Sequence, residues 1–211
     1  MNEAYYRQHA QRFYDDTVNV DMAALYQPFI SCLRPGARIL DAGCGSGRDV
    51  KAFSEMGFAV DAFDASAELV SLARQLTGKP VERMRFEDVV AVEKYDGIWC
   101  CASLLHVPEA ELPEVMAKLA KALKPGAVWY LSFKYGSGER EKEGRSFTDM
   151  DEAGLRRIVD ELNGSFKQNS VTGKSDDRLV ADIEIKEIWQ TGDLRSGRSD
   201  ERWLNAIISK A

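Results

Sequence analysis

Residues 37–49 read Ala-Arg-Ile-Leu-Asp-Ala-Gly-Cys-Gly-Ser-Gly-Arg-Asp, and this stretch constrains the fold more than any other. A short apolar run ends in Asp41, and Gly43, Gly45 and Gly47 then carry the backbone towards a helix. Glycine tolerates positive φ and leaves bare main chain for a ligand to lie against. The helix start adds free N–H groups and a partial positive charge. The spacing is G-x-G-x-G with an acid two residues ahead, not the G-x-G-x-x-G of a nicotinamide or flavin site. A pyrophosphate needs the helix end to itself. Asp41 instead repels phosphate and favours a cation or hydrogen-bond donors.

The chain has 211 residues, enough for one α/β domain with a proper core. Its 45% hydrophobic and 29% charged residues are an ordinary soluble balance. A net charge of −6 argues against a broad nucleic-acid surface, which needs clustered Lys and Arg. No apolar run reaches membrane-spanning length, and residues 1–6 lack a basic segment followed by an apolar one. Cys32, Cys44, Cys100 and Cys101 have no metal-ligand spacing with His, so they read as thiols in a reducing cytoplasm, with no metal site.

After residue 36, strand and helix patterns alternate, the signature of a mostly parallel sheet covered on both faces. Strands are predicted over 37–42, 58–63, 81–86, 97–101, 127–133, 183–190 and 202–209. Helices are predicted over 48–56, 66–77 (Ser66 as N-cap, Gly78 as stop), 108–124 and 150–162. Two further helices, 3–14 and 21–33, form an N-terminal cap over 1–36, ahead of one domain at 37–211. Residues 135–145 read as a polar Gly-rich loop and 164–182 as mostly loop.

Asp41-Ala42-Gly43-Cys44-Gly45-Ser46-Gly47 resembles the first motif of class I S-adenosylmethionine-dependent methyltransferases. The resemblance covers residues 37–134 best and implies a Rossmann-like, doubly wound, mostly parallel seven-stranded sheet with its last strand antiparallel. It also implies S-adenosylmethionine as cofactor and S-adenosylhomocysteine as product. Asp41 would then sit near the amino-acid portion of the cofactor, with the turn of Gly43, Cys44, Gly45 and Gly47 packed under it. Asp64, with Ala65 beside it, ends the second strand about 20 residues past the turn, where such folds place an acid on the ribose hydroxyls. Its other reading is a cap for the turn before Ser66. The third contact is expected at Phe86-Glu87-Asp88, with Asp88 preferred as the side chain towards adenine and Phe86 or Glu87 giving main chain. A solvated acidic turn is the alternative there.

Tyr95 through Pro108 resembles the family's fourth motif region, which places Cys101 and Ala102 beside the methionine moiety. His106 matches a histidine of these small methyltransferases that orients the loop; as a general base it would work near neutral pH. Arg48 either reaches the cofactor's carboxylate or lies on an exposed helix face. The aromatic N-terminal segment matches a lid, with Tyr6 and Tyr14 as candidates near the methyl group, or else with rings packed on the sheet.

Methyl transfer is an in-line displacement at an already activated carbon, so positioning and desolvation can supply much of the rate without a catalytic triad. The fourth strand ends Cys100-Cys101-Ala102-Ser103 and lacks the Asn- or Asp-Pro-Pro-aromatic element of related adenine-N6 and glutamine-amide methyltransferases. Lys134, Arg195 and Arg198, with Arg140, Arg145 and Arg202, gather near the carboxyl ends of the later strands and point to a small anionic acceptor. The alternative is solvated charges balanced by Glu139, Glu141, Glu143, Asp193 and Asp200. Residues 60–64 and the Gly-Arg-Asp after the turn look most like the tellurite-resistance type among small-molecule methyltransferases. A tRNA or protein methyltransferase, a non-catalytic cofactor-binding protein and a nicotinamide-binding protein are the rival readings. The sequence does not set the oligomeric state.

Overall fold

The structure, a computed structural model, describes residues 2–171, 183–195, 197, 198 and 200–211. Two helices come first, α1 (Asn2–Thr17) and α2 (Ala23–Ile30). From the centre of the sheet, β1 (Arg38–Ala42), α3 (Arg48–Glu55), β2 (Ala59–Asp64), α4 (Ala67–Thr77) and β3 (Glu82–Arg83) wind one way. The chain then returns through β4 (Tyr95–Cys100), α5 (Leu112–Ala122) and β5 (Leu123–Lys134), winding the other way. A hairpin of β6 (Gly138–Lys142) and β7 (Arg145–Asp149) follows, then α6 (Glu152–Val171), β8 (Ile183–Gly192) and β9 (Arg202–Lys210).

The seven-stranded sheet has the order β3-β2-β1-β4-β5-β9-β8. Strand β1 pairs in parallel with both β2 and β4, so the winding reverses between β1 and β4. Open α/β sheets bind their ligands at such a switch point, beyond the carboxyl ends of the strands. Strand β9 is antiparallel to both of its neighbours, β5 and β8, which leaves β8 running parallel with β5.

The period of two along each strand divides the core. Ile39, Trp99, Val128, Tyr130 and Ile207 face α2 and Phe53 of α3. Leu40, Ile98, Cys100, Trp129 and Leu131 face α5 and α6. Trp99 and Tyr130 stack with ring centroids 3.8 Å apart beneath α2, which buries Leu25, Tyr26 and Phe29. Helix α2 is therefore mainly part of the core, and both helices of the expected N-terminal cap reach the ligand end of the sheet, α2 through Leu25.

Local chemistry sets several boundaries where the sequence puts them. Ser66 accepts a hydrogen bond from the Leu69 N–H, and Gly78 stops α4 at φ +64°. Elsewhere the structure corrects the expectation. The third strand shrinks to Glu82–Arg83, because Phe86–Asp88 forms a 3-10 turn. The fifth helix ends at Ala122, and the chain passes directly into β5, crossing Pro125-Gly126 as an irregularity of the strand. Residues 135–145, expected as loop, begin a hairpin that turns at Glu143-Gly144, with φ of +53° and +73°. Two successive positive φ values are what a tight, correctly twisted hairpin requires. Helix α6 continues to Val171, into the stretch read as loop. The remainder of that stretch, 172–182, lies outside the described residues.

Candidate active site

A cavity of about 710 Å³ opens at the carboxyl ends of β1, β2, β4 and β5. Its floor is the glycine turn. The N–H groups of Gly43 and Cys44 both donate to the Phe63 carbonyl at 2.9 Å, fastening the turn to β2. Gly43 has φ +79°, and a Cβ there would lie 2.5 Å from the Ser103 Cβ. Gly47, at φ +81°, opens α3, and a Cβ there would meet the Ala73 Cβ at 2.8 Å. Both positions therefore exclude any side chain, by conformation and by space.

Asp64 stands at the tip of β2. One carboxylate oxygen accepts from the Gly45 N–H at 2.9 Å and the other from the Ser66 N–H at 2.9 Å. Burial raises its pKa, and these backbone donors only partly offset the rise. Each oxygen keeps a lone pair for another donor. Asp61, the neighbouring acid, faces the other way and is taken by Arg38, Lys94 and Tyr95.

Beneath the turn, Asp41 is 2% exposed and its Oδ2 has no hydrogen-bond partner among the described residues. Burial and then the charge of Asp49 push its pKa well above the carboxylate range. Asp49 has the opposite environment. It accepts from Tyr26 Oη at 2.6 Å, Trp99 Nε1 at 2.8 Å, and Arg48 Nε and Nη2 at 2.6 and 2.9 Å. Burial alone would raise Asp49, but the Arg48 charge and these donors outweigh it and hold the group ionised. Arg48 lines the cavity, yet its fork is committed to Asp49 and its Nη1 donates to the Thr17 carbonyl at 3.3 Å. It is neither a free carboxylate clamp nor on an exposed face.

The tip of β4 forms the next wall. Ala102 sits at φ +53°, rarely adopted by a residue with a Cβ, and its N–H donates to Ser132 Oγ at 2.8 Å. Burial pushes the Cys101 thiol up to about 12, so it is no thiolate nucleophile at neutral pH. His106 meets Tyr6 of α1, with Tyr6 Oη and His106 Nε2 2.8 Å apart. Its Nδ1 is 3.1 Å from the Ser146 carbonyl, which must accept a proton. Nδ1 therefore carries the hydrogen, and Nε2 receives the Tyr6 hydroxyl.

Burial pushes the His106 pKa down to about 4, and that of Tyr6 up to about 12. Both groups are neutral at pH 7. The unfolded histidine binds its proton near 6.5, so the unfolded state gains protons first as pH falls. Stability should thus be complete above about pH 6.5 and decline by roughly 2–3 kcal/mol towards pH 4. In denaturant titrations over that range, His106→Gln should remove this slope. An unchanged slope in the variant would assign the acid sensitivity to other groups.

The acceptor side is built by elements far apart in sequence. Lys134, on the same strand face as Tyr130 and Ser132, contacts Asp193 at 3.5 Å and Glu201, and its ammonium lies 4.1 Å from the Trp203 ring centroid. Burial brings its pKa down to about 8. Arg195 grips Asp193 through Nε and Nη2 at 2.9 and 2.5 Å, so the balancing of loop charges expected from the sequence holds for this pair. Arg198 also lines the cavity. From the hairpin come Arg140, paired with Asp149, together with Arg145, Ser146 and Phe147.

Most residues singled out in the sequence meet at this cavity: Tyr6, Gly43, Cys44, Gly45, Arg48, Asp64, Ala65, Phe86, Glu87, Cys101, Ala102, His106, Lys134, Arg195 and Arg198 all line it. Asp41 and Gly47 lie behind this lining. Tyr14 and Asp88 do not reach it. Asp88 instead turns back to accept from the Arg85 N–H at 3.1 Å, which leaves Glu87 as the acid on the cavity wall. Phe13 takes the place expected of Tyr14: its ring is 5.2 Å from Tyr6 and roofs Gly45. The signal for Phe13 was helical spacing, since positions 6, 13 and 17 return to one face at 100° per residue. Phe147, Trp203 and Asn205 also line the cavity, and no motif marks them; Asp49, the last residue of the Gly-Arg-Asp after the turn, lines it too.

The sheet order and the glycine turn define a Rossmann-like fold with an open crevice at its switch point. Residues 39–126 match the family model described as a methyltransferase domain. The ubiquinone biosynthesis O-methyltransferase of Xanthomonas campestris pv. campestris (strain B100) is 34% identical over 105 residues, covering 46% of this chain and 43% of that protein. The matched stretch is thus less than half the length of that curated relative. Among solved structures, the Burkholderia thailandensis 1,6-didemethyltoxoflavin-N1-methyltransferase, with its substrate and S-adenosylhomocysteine bound, superposes with TM-score 0.75 at 17% identity, covering 99% of this chain and 87% of that one. A TehB-like S-adenosylmethionine-dependent methyltransferase from Corynebacterium glutamicum gives TM-score 0.68 at 18% identity over 100% of both chains.

Proposed function

We propose that this chain is an S-adenosylmethionine-dependent methyltransferase acting on a small molecule. One observation carries the reading: the Asp64 carboxylate stands at the cavity with one oxygen accepting from the glycine turn at Gly45 and the other from Ser66 at the start of α4, which leaves acceptor capacity for paired hydroxyls. The cavity chemistry fits the cofactor at its nucleoside end. Leu69, Met84 and Phe86 give an apolar slot for adenine, with Glu87 beside them, and Asp64 faces the ribose.

When bound, the cofactor supplies a methyl carbon activated by a sulfonium. The protein's own contribution is then placement and exclusion of water. Phe13 and Tyr6 of α1 roof the turn, Tyr6 being tied to His106, which makes α1 the lid of the site. His106 keeps an unprotonated Nε2 in the cavity wall, held in orientation by the Ser146 carbonyl. It can take an acceptor proton once Tyr6 gives way. The molecule bound by the Burkholderia relative, 1,6-didemethyltoxoflavin, is small, and a cavity of about 710 Å³ suits a small acceptor better than a macromolecule.

Calorimetric titration tests the cofactor, and a tritiated-methyl transfer assay over small metabolites and tRNA tests the acceptor class. S-adenosylmethionine and S-adenosylhomocysteine should bind one per chain and NAD should not. Binding of NAD alone, or transfer confined to tRNA, would replace the reading.

A further inference from the structure

The arginines around the cavity are not equivalent. Arg48, Arg140 and Arg195 each commit their Nε–H to a carboxylate: Asp49, Asp149 and Asp193. Arg145 does not. Its side chain is 11% exposed and its Nε is buried without a hydrogen-bond partner among the described residues. Its Nη2 lies 3.2 Å from Glu143, whose own side chain is 64% exposed and screened by water, and the guanidinium also meets the Tyr6 hydroxyl, which leaves Nε as the unmade donor. A buried charged donor left unmade is costly, and in a cavity wall such a group is open to water, an ion or the polar group of a ligand.

The guanidinium is also held in place. It lies 4.5 Å from the Tyr5 ring centroid and 5.2 Å from that of Phe147. The next residue, Ser146, orients His106, and Phe147 packs on the His106 ring at 5.2 Å. The unfilled donor is therefore fixed beside the Tyr6–His106 pair, in the cavity wall. Both neighbouring ring faces are already occupied by this cation, so they offer no cage for a cationic acceptor, and the guanidinium repels one.

We propose that Arg145 is the specificity-determining residue of this site and that the acceptor carries an anionic oxygen group, a carboxylate or its equivalent, received by the Arg145 Nε–H. The proposal rests on the methyltransferase reading above. It assigns recognition to an arginine of the hairpin in place of Lys134 and Arg195, whose charges the protein itself balances.

The test is titration of the enzyme saturated with S-adenosylhomocysteine. The probes are benzoate, salicylate and phenylphosphonate, set against benzamide, salicylamide and benzylamine. The anions should bind at least tenfold more tightly than their neutral or cationic counterparts. Arg145→Gln should abolish that preference, Arg145→Lys should restore part of it, and S-adenosylhomocysteine affinity should change less than twofold in both. Because Arg145 also steadies α1 through Tyr5, Tyr5→Leu and Glu143→Gln serve as structural controls, and both should keep the anion preference. If Arg145→Gln also loses S-adenosylhomocysteine, the Arg145→Lys result decides. Equal binding of benzoate and benzamide, no binding by any probe, or a preference that survives Arg145→Gln would overturn the proposal and leave the cofactor reading standing. Failure to bind S-adenosylhomocysteine at all would overturn the cofactor reading instead.

Discussion

Asp64→Ala should weaken S-adenosylmethionine binding about a hundredfold while leaving the protein folded. The motivation is the geometry at the tip of β2, where both carboxylate oxygens are half-used by backbone donors at 2.9 Å. Each hydrogen bond to a charged group contributes roughly 1.5–3 kcal/mol, so losing two bonds to ribose hydroxyls costs about 3 kcal/mol or more. At 1.4 kcal/mol per decade, that is about two decades in Kd. Alanine leaves the Gly45 and Ser66 N–H groups to water in the cavity, a modest cost to the fold. Asparagine is the worse substitution, because its amide N–H₂ must confront one of those two N–H donors. Calorimetry on the variant checks this, with thermal unfolding as the control. A change below threefold with an intact fold would remove Asp64 from the ribose site.

The largest loss of stability is expected at Asp49→Ala. Its carboxylate is 5% exposed at the residue level and holds Tyr26 of α2, Arg48 of α3 and Trp99 of β4 at once. Removing one partner of a buried ion pair costs about 3–5 kcal/mol, because the other charge is left uncompensated. Arg48 would be that charge, its side chain 18% exposed. For a chain of this size each kcal/mol lowers Tm by roughly 2–4 °C, so a fall of about 10 °C or more is expected. Cofactor affinity should fall with it, since Arg48 also ties Thr17 at the end of α1. A calorimetric scan showing a drop under about 3 °C would mean that the network contributes little beyond packing.

The two outcomes separate what was legible in the chain from what was not. Asp64 follows from its place after an apolar strand, and Ser66 and Gly78 from the chemistry of helix ends. Asp49 was visible only as the residue after Arg48. Its partners lie 23 and 50 positions away in sequence and meet it only because α2 and α3 pack on the sheet face to which Trp99 points. The hairpin was missed for a different reason. Glu143-Gly144 is a weaker turn signal than Asn-Gly or Asp-Gly, and the charged residues around it carry little strand pattern. Nothing in the sequence separates Asp88 from Glu87, because which of two adjacent acids turns back to its own backbone depends on the geometry of the 3-10 turn.

By itself the sequence determined the alternation of strands and helices outside the hairpin, and the glycine turn, because these depend on local φ/ψ freedom, capping and short-range periodicity. Only the tertiary structure decided which charges are spoken for. Arg48, Arg140 and Arg195 find carboxylates and Arg145 Nε does not, and that distinction lies in distances across strands and loops. Coulomb and hydrogen-bond energies fall off over a few ångströms of space, whatever the separation along the chain.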